Sequence, residues 1–165
     1  MADGNIILSA AKIVEADEAR RYVVVSAPGK RFSGDIKVTD LLYQACAQQA
    51  SGDKHGFEDT FEKISARFLS IEREIGKNLG VQAALDEMKA AMLDGAGQDY
   101  FVSRGEFVAA HIMAAVLDVP FVDATEFVRF NEDGTLSEET FDLAAKVLKK
   151  YPRAVIPGFY VGMLE

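Results

Sequence analysis

The chain has 165 residues, and 49% of them are hydrophobic, so it is long enough and apolar enough to fold as one domain with a buried core. Its net charge of -8 argues against a nucleic-acid partner, because binding to phosphate backbones depends on clustered lysine and arginine. The single cysteine excludes an intrachain disulfide and a cysteine-cluster metal site.

No apolar run approaches the roughly 18 to 20 residues that a membrane span needs, and the N-terminus has no signal-peptide pattern. We therefore expect a cytoplasmic protein without a membrane partner. His55 and His111 share no ligand spacing, so no histidine metal centre is expected. His55 is expected in a solvated turn, and Cys46 as a buried small hydrophobic residue.

The first third of the chain alternates between helix and strand. Apolar residues recur at helical spacing over residues 4 to 18 and predict an amphipathic helix. The β-branched run within residues 22 to 27 predicts a strand. A second apolar stripe begins at Val38 and predicts a helix with Thr39 near its start, ending before the break at SGDKHG.

The middle of the chain is predicted to be helical. Three apolar stripes predict helices at residues 57 to 76, 81 to 94 and 103 to 118, and the turn-rich DGAGQD separates the last two. Consecutive helices without a strand between them predict a helical subdomain, inserted at about residues 52 to 96, beside a sheet.

The last third returns to alternation, and its glycine turn at PGF follows the final strand. Strands separated by helices are typical of a parallel or mostly parallel sheet, so the predicted fold class is α/β. The predicted elements are short strands around Phe121 and Val122, at residues 126 to 130 and at 154 to 156, a turn at NEDG, and a helix at 137 to 150.

The segment VVVSAPGKRFSGDIKVTDLL suggests a nucleotide-binding loop but lacks its chemistry. Gly29 and Gly34 have the spacing of P-loop glycines, yet Asp35 and Ile36 stand where lysine and serine or threonine are needed. A carboxylate at that point would repel phosphate. Ser26 instead follows the predicted strand, at the edge where open α/β sheets bind ligands.

The segment SRGE, residues 103 to 106, has two interpretations. Ser103 as N-cap and Glu106 at the third helical position would form a capping box. Alternatively, Glu106 could hold a ligand ammonium group beside the sheet edge. Ser26 and Thr39 leave the same choice open, between a turn or cap and a ligand contact. No nucleophile with a recognisable base is apparent.

Four motifs, VVVSAPGK followed by VTDLL, DYFVSRGEFVAAHIMAAVL, PFVDATEFVRF and AVIPGFY, resemble aspartokinases of the amino acid kinase family when taken in this order. The resemblance runs from about Tyr22 to Tyr160. It implies a three-layer αβα sandwich that, with ATP and Mg²⁺, phosphorylates the side-chain carboxylate of aspartate for lysine, threonine and methionine biosynthesis. SRGE with VDA favours aspartate as the acceptor.

The resemblance also implies a substrate site. By motif matching, Ser26, Ala27 and Thr39 lie where the family contacts L-aspartate. Glu106 lies where the family binds the α-ammonium group, and Phe159 lies in its substrate-side glycine turn.

Several family features are not found in the sequence. These are the KFGGS-like first strand with its catalytic lysine, the TLGRGGSD-like loop with its arginine and metal-side aspartate, the nucleotide-binding half and the ACT domains. We therefore expect residues 1 to 165 to be a partial amino acid kinase domain, inactive alone and binding ATP and Mg²⁺ poorly. Val161 before Gly162 also departs from the family's usual GFYG or GFIG, so an altered turn is expected.

Lack of the family's first strand would leave a neighbouring strand edge unpaired, so we expect a homo-oligomer or association through that edge. Two alternatives to an aspartate kinase stay open from the sequence. One is a kinase for another amino acid such as glutamate, and the other is a catalytically dead binding or partner-interaction module.

Overall fold

A computed structural model describes residues 1–159 of the chain. Over these residues it is helix-rich with a small parallel sheet. The helices are α1 (Gly4–Glu15), α2 (Val38–Ser51), α3 (Lys54–Ile75), α4 (Val81–Leu93), α5 (Gln98–Leu117) and α6 (Glu139–Leu148), with a short 3₁₀ helix at Ala124–Glu126. The strands are β1 (Tyr22–Val25) and β2 (Ala154–Pro157).

The two strands confirm the predicted parallel order. Tyr22 lies opposite Ala154, and Val25 lies opposite Pro157. On the other side of β2, Phe121 forms a parallel bridge with Val155. Strand β2 is therefore internal and buried at all four positions, whereas β1 lies at an edge of the sheet formed by the described residues.

Helix α5 is the centre of the core. It packs against α1, α2, α4 and both strands, and it is buried along most of its length. Contrary to the expectation from sequence, α5 is long and apolar enough to cross a membrane by length and composition. However, 67% of its apolar window is buried inside the protein, which is the environment of a core helix.

The helices α3 and α4, which cover the predicted insertion at residues 52 to 96, pack on this core. Their apolar stripes join one hydrophobic cluster with α1, α2 and α5, in which Phe57, Phe68 and Leu85 are almost fully buried. The domain boundaries themselves stay a prediction.

Three local expectations were wrong. Residues 126 to 130 form no strand, because the Asp123 side chain accepts the Thr125 amide and closes a 3₁₀ turn, while the Arg129 amide donates to the Thr140 hydroxyl. His55 is exposed as expected, but it lies in the first turn of α3 because Asp53 caps that helix. Cys46 is half-buried at the margin of the core.

Candidate functional site

The candidate site lies where the two strands end. The Gly158 amide donates to the carbonyl oxygen of Val25 at 2.8 Å, so the glycine turn after β2 lies directly beside the end of β1. Ser26 and Ala27 follow β1 at this point, and Phe159, which is 36% exposed, follows Gly158. The carboxyl ends of parallel strands are the common ligand edge of α/β sheets.

A glycine brings α5 against this edge. A Cβ atom at Gly105 would lie 2.8 Å from the Cβ of Ala27 and 3.2 Å from Cδ1 of Leu42. Real Cβ atoms essentially never approach another atom to 2.8 Å, so glycine at position 105 permits this close contact between α5, α2 and the strand end. The close contact brings the next residue of α5, Glu106, to Ala27.

Glu106 is buried and only partly satisfied. The residue is 7% exposed, and its carboxylate accepts a hydrogen bond from the Ala27 amide. Its Oε2 atom has no hydrogen-bond partner among residues 1–159. Burial raises the pKa of Glu106, and the Ala27 amide opposes that rise. A buried carboxylate oxygen without a partner is costly, and such a group is suited to receiving a cationic ligand.

The capping-box interpretation of SRGE was wrong. Helix α5 begins at Gln98 with Gly97 as its N-cap, so Ser103 and Glu106 lie inside the helix, where no backbone amide needs a cap. Ser103 instead donates its hydroxyl to the Tyr100 carbonyl oxygen. The signal for the earlier start was the pair Phe101 and Val102, which continue the apolar face of the helix toward its N-terminus.

Thr39 is also not a cap. Lys37 occupies the N-cap position of α2 without a side-chain bond, and Thr39 lies partly buried in the first helical turn. The Val38 amide donates to the Pro28 carbonyl oxygen at 3.2 Å, which holds the start of α2 close to the end of β1. The structure thus brings Ala27 and Glu106 into contact and places Ser26, Thr39 and Phe159 on adjoining segments.

Sequence reasoning missed one buried charge. Arg67 of α3 has a side chain only 4% exposed, and its Nη1 lies 2.5 Å from Oδ2 of Asp35. The same guanidinium donates to the Gly29 carbonyl oxygen. An arginine among the apolar positions Ile64 and Phe68 was the available signal, but its partner is 32 residues away in sequence.

No group of three or more histidine, cysteine, aspartate or glutamate side chains that could hold a metal ion is present among residues 1–159. Asp35, the acidic residue of the loop at residues 27–38, is paired with Arg31 and Arg67.

The described residues form an α/β domain with a candidate ligand site at its strand ends, and comparison with known proteins shows what the chain is similar to. No family model matches the chain. Aspartokinase 3 of Bacillus subtilis (strain 168) is 28% identical over 181 aligned positions, which cover 97% of this chain and 38% of that protein.

Two similar solved structures are also aspartate kinases. Clostridium acetobutylicum aspartate kinase, described as an allosteric enzyme, superposes with a TM-score of 0.91 at 35% identity, covering 96% of this chain and 36% of that one. E. coli aspartokinase III in complex with lysine and aspartate gives a TM-score of 0.70 at 20% identity, covering 94% of this chain and 38% of that one, which shows the fold alone. The resemblance to aspartokinases is therefore confirmed in sequence and in fold. The chain spans 36% to 38% of the length of these proteins.

Proposed function

We propose that this chain is the aspartate-binding portion of an aspartate kinase. The full polypeptide would transfer the γ-phosphoryl group of ATP to the side-chain carboxylate of L-aspartate, in the biosynthesis of lysine, threonine and methionine. The observation that supports this most strongly is the buried carboxylate of Glu106 at the strand edge. It accepts the Ala27 amide, and its Oε2 atom has no partner among the described residues. The similarity of the chain to aspartate kinases adds to this support.

In this proposal Glu106 binds the α-ammonium group of the amino acid. One carboxylate oxygen keeps the Ala27 hydrogen bond, and the other receives the ammonium protons in a charge-assisted contact. The ligand charge offsets the burial that raises the pKa of Glu106, so binding is expected to lower that pKa. The hydroxyls of Ser26 and Thr39 and the turn at Phe159 complete the proposed contacts with L-aspartate.

In this proposal the site contributes to phosphoryl transfer by positioning the acceptor amino acid. Phosphoryl transfer depends on placing the acceptor in line with the phosphoryl group and on stabilising its charge. Ligand contacts on the ammonium end of the substrate fix the direction of the acceptor carboxylate. This chain's residues therefore bind and orient the acceptor in the proposal, and they perform no step on the phosphoryl group.

ATP and Mg²⁺ are assigned to other parts of the full polypeptide. The residues described here include no cluster suited to a magnesium ion, so they do not fit a resident metal site. We expect the isolated chain to bind magnesium ATP poorly and to be inactive. The complete three-layer αβα sandwich and a cytoplasmic location are part of the same proposal.

Association through β1 also belongs to the proposal. The Arg21 and Val25 carbonyl oxygens accept amides from the β2 side, so alternation directs the backbone groups of Tyr22 and Val24 to the opposite edge. Val24 is 64% exposed and Tyr22 is 38% exposed. An exposed apolar edge is a template for pairing with another strand. We expect light scattering at tens of micromolar to show oligomers, and a sharply monomeric species would count against this expectation.

The decisive test is an acceptor assay on the full polypeptide that the gene encodes. With magnesium ATP, L-aspartate should give an acyl phosphate that hydroxylamine traps as a hydroxamate, and L-glutamate should give little. Preference for glutamate would make the protein a kinase for another amino acid. Binding of L-aspartate without any product would make it a binding module. Activity in the isolated 165-residue chain would contradict the assignment of catalysis to residues outside it.

A further inference from the structure

We propose that Arg67 is a positioning residue for the amino-acid site, acting through the loop at residues 27–38. The inference rests on the proposed function, because it concerns the site that would hold L-aspartate. Ala27, which contacts Glu106, lies at one end of this loop, and Thr39 follows its other end.

The loop has an internal brace at Asp35. Its Oδ2 accepts from the Arg31 amide at 3.0 Å and from Nε of Arg31 at 2.8 Å, while Oδ1 accepts from Nη2 of Arg31 at 2.9 Å. These bonds hold the pKa of the Asp35 carboxyl far below its ordinary value, chiefly through the Arg31 side chain. Asp35 is therefore a fixed negative charge inside the loop at neutral pH.

Arg67 attaches the braced loop to the protein core. Its guanidinium bonds Asp35 with Nη1 and the Gly29 carbonyl oxygen with Nη2, so it contacts both halves of the loop at once. Helix α3 holds Arg67 rigidly because its neighbours Ile64, Phe68 and Ile71 are almost fully buried. A planar guanidinium can bond two acceptors in fixed directions, which lysine cannot do.

The consequence for the site is geometric. The loop closes with the Pro28 carbonyl oxygen bonded to the Val38 amide, between the strand end and the start of α2. Shifts in its path therefore change where Ala27 and Thr39 lie relative to Glu106. Small displacements of ligand-binding groups lower the affinity and the rate, because the contacts must match the ligand within about 0.5 Å.

The test is substrate affinity in the full polypeptide with Arg67→Met and Arg67→Lys. We expect Arg67→Met to raise the Kd of L-aspartate roughly tenfold, with the KM of ATP unchanged, since the loop serves only the acceptor. Arg67→Lys should recover part of that affinity, because it keeps the charge but loses one of the two bonds. Asp35→Asn should act like Arg67→Met, and the double variant should be less than additive.

Lys89→Met is the matched control. It removes another ion pair made by α3, in which Nζ of Lys89 on α4 lies 2.5 Å from Oε2 of Glu58 on α3. Its Kd for L-aspartate should equal that of the unaltered protein. A lower melting temperature for Arg67→Lys and Arg67→Met with an unchanged Kd would overturn the inference and leave Arg67 a structural residue.

Failure of the inference and failure of the proposed function can be told apart. Wild-type polypeptide that prefers L-glutamate would refute the aspartate assignment, and the Kd comparison would then be made with glutamate. An unchanged Kd in Arg67→Met, with wild-type binding intact, refutes the positioning role alone. Wild-type polypeptide that binds neither amino acid refutes both.

Discussion

Two of the glutamate carboxylates that receive backbone amides, Glu72 and Glu106, differ in what remains unbonded. At the turn between α3 and α4, Oε1 of Glu72 accepts the Leu79 amide at 2.6 Å and the Val81 amide at 3.3 Å. At the strand edge, the carboxylate of Glu106 accepts the Ala27 amide and keeps Oε2 without a partner among the described residues.

The difference separates a structural carboxylate from one suited to a ligand. Gly80, the N-cap of α4, has no side chain that could accept the first amides of the helix, and Glu72 accepts the Val81 amide instead. Glu72 is also partly exposed to solvent. Glu106 is buried, is not needed by a helix end, and has an acceptor to spare. Only the second arrangement gives a ligand cation something to bind that water does not already satisfy.

The largest expected effect comes from separating Glu106 from Ala27. Gly105→Ala forces a Cβ atom to within 2.8 Å of the Ala27 Cβ, so α5 and the strand end must move apart. We expect a loss of about 1 to 3 kcal/mol in the free energy of unfolding, measured by urea denaturation. Gly29→Ala is the control, because its Cβ would meet nothing within 4 Å, and a similar loss there would show that glycine content alone matters.

The next prediction tests the distinction between Glu106 and Glu72 by removing the charge of each glutamate in turn. Glu106→Gln keeps the size and an acceptor for the Ala27 amide, but it would turn the proposed charge-assisted contact with the ammonium group of L-aspartate into a neutral one. This difference is worth about 1 to 2 kcal/mol, so the KM of L-aspartate in the full polypeptide should rise roughly tenfold. Glu72→Gln should leave that KM unchanged, and equal effects from both variants would contradict the distinction.

A smaller effect sharpens the comparison from the structural side. Glu72→Ala leaves the Leu79 and Val81 amides without their acceptor, which should cost about 1 kcal/mol in the free energy of unfolding. The affinity for L-aspartate should not change. Glu87→Ala, an exposed position of α4, serves as the control for loss of a surface charge. Thermal or urea denaturation that finds Glu72→Ala as stable as Glu87→Ala would remove the capping role.

The pH dependence of stability gives the weakest but most specific signal. Because burial raises the folded-state pKa of Glu106, the folded protein holds this proton more tightly than the unfolded chain. The contribution of Glu106 to the free energy of unfolding should therefore fall as pH rises from its ordinary pKa of 4.5 to its folded value. The difference between wild type and Glu106→Gln, measured by urea denaturation across that range, should show this fall. A difference that is flat or rises with pH would contradict the burial.

The helices and strands were predictable because the apolar residues of each recur at the spacing typical of that element. Helices α1 to α4 and α6 lie where apolar stripes predicted them, and strands at Tyr22 and Ala154 follow from short β-branched or apolar runs between helices. The segment at Glu126 to Phe130 has strand-like composition, but Asp123 accepts the Thr125 amide in a 3₁₀ turn at its start, and the Thr140 hydroxyl accepts the Arg129 amide. The partner of the Arg129 amide is 11 residues away in sequence, so local composition does not indicate that hydrogen bond.

The residues alone left Ser26, Thr39 and Glu106 open between a turn or cap and a ligand contact, the family resemblance favoured the ligand contact, and the geometry of the site was not predictable. SRGE reads locally as a capping box, yet the helix begins five residues earlier, at Gln98, and Glu106 becomes an interior residue. Its contact with Ala27 depends on the absence of a Cβ at Gly105, which is a property of packing between distant segments. The pair of Arg67 and Asp35 is likewise a tertiary contact between residues that no spacing rule connects.

The most direct test of the account is the titration of the Glu106 side-chain carboxyl by ¹³C NMR, with and without saturating L-aspartate. The resonance can be assigned by its loss in Glu106→Gln. We expect a pKa above the ordinary value without ligand, because of burial, and a clear decrease when the ammonium group binds. An ordinary or lowered pKa without ligand, or a raised pKa that L-aspartate leaves unchanged, would contradict the claim that Glu106 binds the amino acid's ammonium group.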